Sequence, residues 1–127
     1  MSSIDRPLSG RALHFRLGEA HRSELIDEGL LRKSGRGART LLKEGPLRVT
    51  LVALAPGGAL AEHRADGPIT VHVLSGSVRF RAGDEEWTLE EGDLLSLAAG
   101  VPHEVGSAGG GVFLLTVATA VEAGGAQ

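Results

Sequence analysis

The stretch Gly57–Gly76, GGALAEHRADGPITVHVLSG, decides the fold. It holds two histidines, His63 and His72, on either side of an Asp66-Gly67-Pro68 turn. After the turn comes a β-branched run, PITVHVL, with proline at the first strand position, where its missing N–H does least harm. Side chains alternate along a strand, so Ile69, Val71 and Val73 share one face, and Thr70, His72 and Leu74 the other. Whether His63 and His72 are ligands of a common metal decides whether the chain reads as an enzyme.

Strand signals extend from this stretch in both directions. Upstream, ARTLL and LRVTLVALA flank the turn-rich KEGP and read as an antiparallel pair. Downstream, Gly76-Ser77 is expected to turn the chain into VRFRA. Taking Gly83-Asp84 as a two-residue hairpin loop puts Ala82 opposite Glu85, Arg81 opposite Glu86, Phe80 opposite Trp87, Arg79 opposite Thr88 and Val78 opposite Leu89. That register gives one apolar and one polar face. Further short strands fit DLLSLA, HEVG and VFLLTVATA. About eight short strands between glycine turns predict an all-β sandwich or barrel.

The N-terminal part differs. Leu25, Ile26, Leu30 and Leu31 fall at roughly helical spacing and predict a short helix despite Gly29. KSGRG reads as a connector, and Arg32, Lys33, Arg36 and Arg39 as a solvated face. The expected organisation is an N-terminal extension over residues 1–37, a barrel over 38–120 and a frayed tail over 121–127.

Composition narrows the function classes. The 127 residues are 42% hydrophobic and 23% charged, which is globular and long enough for one core. A net charge of −3, with three Phe, one Trp and no Tyr, argues against a nucleic-acid partner or an anionic membrane. With no cysteine there is no disulfide, thiolate site or cysteine nucleophile. The opening MSSIDRPLSG lacks the apolar core of a signal peptide, and GVFLLTVATAV is too short to span a bilayer, so a cytoplasmic protein is expected. VLSGS lacks a nucleophile elbow and GRGARTLLKEG lacks the end of a phosphate loop.

Two segments resemble the paired motifs of the cupin superfamily. The first, G-x5-H-x-H-x(3,4)-E-x6-G, is matched at Gly57, His63 and Gly76; the second, G-x5-P-x-G-x2-H-x3-N, at Gly92, Gly100 and His103. Pro56 before the first glycine, VLSG closing the first motif and GDLL opening the second fit the same family. The resemblance covers roughly residues 47–118 and implies a double-stranded β-helix, or jelly-roll barrel, and a homodimer. Family members with the full set hold Fe, Mn, Ni or Zn through three histidines and one glutamate inside the barrel.

This chain departs from that set. Ala65 stands where the second histidine would be, Ile69 at the glutamate, Ala98 at the second motif's proline and Ser107 at its asparagine. Carried over residue by residue, the metal ligands reduce to His63 and His103, short of the usual three or four. By parity with Ile69, His72 points out of the barrel. Asp66 sits in the turn, and Glu62 has the opposite parity to His63. His14 and His21 lie outside the barrel. Glu85, Glu86, Glu90, Glu91 and Asp93 read as a solvated acidic face paired with Arg79 and Arg81.

Two functions follow from this pattern. In the first, a small molecule binds in a pocket of His63, Ala65, Ile69, Val71 and His103 without a complete metal site; the cofactor is then absent or a weakly bound divalent metal. In the second, the chain is a metal-dependent cupin enzyme of dioxygenase or isomerase type that uses His63 and His103. A third reading makes the barrel chiefly a homodimerisation module.

Overall fold

A computed structural model describes residues 7–119. The expected frayed tail over 121–127 and the first six residues of the N-terminal extension lie outside the described residues. Eight strands form among the described residues: β1 Arg36–Glu44, β2 Leu47–Leu54, β3 Ala59–His63, β4 Ile69–Ala82, β5 Glu85–Glu90, β6 Leu94–Leu97, β7 His103–Gly106 and β8 Gly111–Ala118. All pair antiparallel, in the order β1-β2-β8-β4-β7-β3, with β5 and β6 also on β4. This is the all-β fold expected from the strand and turn pattern, in the jelly-roll form that the motif resemblance implies.

β4 is the element that joins the two halves of the sheet. Its first half, from Ile69, pairs with β8 and β6, and its second half, Ser77–Ala82, with β5 and β7. The turn expected at Gly76-Ser77 is therefore a bend inside one continuous strand, a correction to the sequence reading. Gly76 has φ +73°, and a Cβ there would lie 2.3 Å from the Gly110 carbonyl oxygen. Only glycine lets the strand bend there while the 110–111 backbone crosses so closely. The β4–β5 hairpin has the predicted register, from Ala82 opposite Glu85 to Val78 opposite Leu89, with Gly83 at φ +62°.

Strand alternation sorts side chains into two apolar clusters. The inner one gathers Val52, Leu54, Ile69, Val71, Val73, Val78, Phe80, Leu89, Val105, Phe113 and Val117. Phe80 and Phe113 meet edge to face at 5.9 Å between ring centres, a favourable aromatic geometry. The outer cluster joins Leu41, Leu51 and Ala53 to Ile26, with Phe15, Leu17, Leu25, Leu31, Leu74 and Leu114 packed against it. The N-terminal segment is thus a cover for the outside of one sheet.

That segment forms two short helices, α1 Glu19–Arg22 and α2 Glu28–Ser34, where the leucine spacing predicted one. Asp27 separates them by capping α2, its carboxylate accepting from the Leu30 N–H at 3.0 Å, and Gly35 ends α2 in the left-handed region. The Arg22 guanidinium donates to the Leu17 carbonyl and to Ser75 Oγ, which pins α1 to the outer face of β4. Leu25, Ile26 and Leu31 pack against the sheet, whereas Leu30 is 51% exposed. No helix among the described residues is long and apolar enough to cross a membrane.

Candidate functional site

β3 and β7 place the two motif histidines directly opposite each other. Their pairing shifts register between Leu60 and His63. Leu60 packs against the inner cluster, and three residues on, strict alternation would turn His63 outward. The irregularity reverses that parity and brings His63 over His103. The ring centres are 4.4 Å apart at an interplanar angle of 65°, and His103 stacks on Phe80 at 5.8 Å. His103 is buried at 4% exposure, while His63 is exposed at the barrel mouth.

Each imidazole has a fixed tautomer. The Nδ1 of His63 lies 2.9 Å from the Ala61 carbonyl oxygen, and that of His103 lies 2.9 Å from the Val101 carbonyl oxygen. A carbonyl only accepts, so each Nδ1 carries the hydrogen and each neutral ring keeps its lone pair on Nε2. Burial lowers the His103 pKa below its ordinary value of 6.5; the Val101 hydrogen bond opposes this, and the nearby His63 reinforces it.

The histidines share a cavity of about 300 Å³ with Arg48, Arg64, Ala65, Asp66, Ile69, Leu115, Val117 and Thr119. Four of the five residues expected in the pocket, His63, Ala65, Ile69 and His103, line it together. Val71 does not; it is fully buried in the inner cluster, a correction to the predicted lining. His72 alternates with the core residues Val71 and Val73, is paired with Leu94 and Leu114, and faces out of the barrel. Sequence reasoning missed Arg48, Arg64, Leu115 and Val117. The signal for Arg48 was its two-residue spacing from Thr50 and Val52, which becomes readable once Arg48 is registered against the inward Val117.

A complete metal site does not fit this donor set. The two motif positions that would add ligands are Ala65 and Ile69, both in the same cavity, and no group of three or more His, Cys, Asp or Glu side chains among the described residues has metal-binding geometry. The position of the motif asparagine has a structural part instead. Ser107 Oγ donates to the Ser77 carbonyl at 2.6 Å, and the Ser107 backbone exchanges hydrogen bonds with Gly57 and Gly58. This ties β4 and β7 to the turn before β3. Outside the barrel, Arg79 pairs with Glu86 at 3.7 Å, but Arg81 pairs with Glu104 of β7, outside the acidic hairpin run.

A family profile described as "Cupin domain" matches residues 50–118. No curated protein matches the chain. Among solved structures, an RmlC-like cupin from Shewanella frigidimarina is 21% identical with a TM-score of 0.67, covering 88% of this chain and 96% of its own. A conserved protein of unknown function from Streptococcus pyogenes is 26% identical with a TM-score of 0.64, covering 69% and 77%. A salicylate 1,2-dioxygenase from Pseudaminobacter salicylatoxidans is 18% identical with a TM-score of 0.69, over 76% of this chain and 32% of that one. The likeness to these proteins is one of fold.

Proposed function

This chain belongs to the cupin family, and from that premise we propose that it binds a small organic molecule in the mouth of its barrel without a complete metal site. One observation carries the reading: His63 and His103 open onto a cavity of about 300 Å³ in which Ala65 and Ile69 occupy the two positions where the family motif carries ligands. Replacing a histidine and a glutamate by alanine and isoleucine removes donors and leaves apolar surface, which favours the body of an organic ligand. The test is to purify the full chain without added metal or a metal-binding tag, then measure its metal content and any small molecule released on denaturation. A released organic molecule with metal well below one per chain supports the reading. One metal per chain whose removal abolishes ligand binding overturns it.

A second reading, a metal-dependent enzyme of dioxygenase or isomerase type, is favoured by one feature. Both histidines present Nε2 lone pairs at the same cavity, the state in which imidazole ligates a metal. It would need a further ligand from outside the described side-chain cluster. We also infer a homodimer, supported by the edge strands β1 and β6 and by Leu94, 66% exposed on β6.

A further inference from the structure

The cavity at the histidines has a neighbour along β2. Arg48, Thr50 and Val52 are successive inward positions of β2; Arg48 lines the histidine cavity, and Thr50 and Val52 line a second space of about 450 Å³. Leu115 of β8 borders both. The second space is bounded by Ala38 of β1 and Leu60 of β3, together with Leu30, Ser34 and Arg36, and its lining is mostly apolar. From Arg48 to Val52 the strand rises about 13 Å. A polar mouth thus lies beside a largely apolar trough, and together they span about a medium-chain acyl length.

Cationic side chains are concentrated at the mouth, with Arg48 and Arg64 there against Arg36 alone on the trough. Arg48 and Arg64 line the mouth against a single carboxylate, Asp66, and no ion pair to either arginine occurs among the described residues. Guanidinium forks match carboxylates in geometry as well as charge. We infer that the ligand is an amphipathic carboxylate, its head held by Arg48 and Arg64 and its apolar body laid past Leu115 along β2 and β8. The inference rests on the metal-independent binding proposed above and names its ligand class.

Calorimetric titration of the chelator-treated full chain with sodium octanoate, octan-1-ol, octylamine and sodium acetate tests it. Octanoate should bind at least tenfold more tightly than acetate or octylamine. The double variant Arg48→Ala/Arg64→Ala should lose tenfold or more for octanoate and little for octan-1-ol; all these arginines are exposed, so the fold should survive. Ala38→Trp, which fills the trough from an exposed position, should also cost at least tenfold. Arg32→Ala, at an exposed position of α2 that lines neither space, should change nothing. Equal binding of the alcohol, amine and carboxylate, or an equal loss in Arg32→Ala, overturns the carboxylate inference and leaves barrel binding standing. Failure of every probe until a divalent metal is added overturns both. A dimer by light scattering that excludes octanoate shows that a second copy fills the trough, and overturns the inference.

Discussion

His63 and His103 lie opposite each other across β3 and β7 with ring centres 4.4 Å apart, and each donates its Nδ1 hydrogen to a carbonyl two residues before it. The pair shares its tautomer and backbone partner type but differs in burial. His103 is wedged between His63 and Phe80, whereas His63 caps it at the surface. The two are therefore unequal for stability.

His103→Ala should destabilise the fold by about 1–3 kcal/mol, because it empties a buried position stacked on Phe80. His63→Ala should stay within about 0.5 kcal/mol, as exposed substitutions do. Both should abolish ligand binding, while His72→Ala leaves it nearly unchanged. Urea unfolding and calorimetry on the three variants separate the two effects.

His103 sets a pH dependence whose sign follows from its depressed pKa. Folding disfavours the imidazolium, so the neutral ring contributes its full stability above the ordinary value of 6.5. That contribution is lost as the pH falls below 6.5 and through the folded-state pKa. The slope from this group is at most about 1.4 kcal/mol per pH unit. Urea midpoints from pH 7.5 to 5 should fall more steeply for the wild type than for His103→Gln. Parallel curves would remove His103 as the cause.

Ala65→His with Ile69→Glu should create metal affinity, since both positions open onto the cavity of His63 and His103. Without metal the variant should melt lower, because Ile69 is only 3% exposed and a carboxylate there is costly to bury. Added Mn or Zn should restore the melting temperature, and a thermal scan with and without metal checks this. A variant insensitive to metal would show that the four positions do not converge.

Gly76→Ala should cost more than about 1–2 kcal/mol, the ordinary strain of a Cβ in the left-handed region, because its Cβ would also strike the Gly110 carbonyl and the Gly111 Cα. Gly83→Ala provides the comparison: it also has positive φ, but nothing lies within 4 Å of its Cβ. Chemical denaturation of both variants isolates the contribution of the close crossing.

The sequence by itself determined the strand pattern, the β4–β5 register and the outward parity of His72, because alternation and turn chemistry are local. The resemblance to the family motif placed Ala65 and Ile69 at the missing ligand positions. The sequence could not tell that Gly76 bends one strand instead of ending it, since the reason is the backbone of Gly110 and Gly111, more than thirty residues away. One α-helix was expected where two form, because Asp27 caps the second and the outer sheet face orders Ile26. The site depended most on tertiary structure. The pairing of His63 with His103 needs the irregularity in β3, and Arg48 reaches the same mouth only through the register of β2 on β8. Those alignments are set by which strands meet across the barrel, and spacing along the chain carries no record of them.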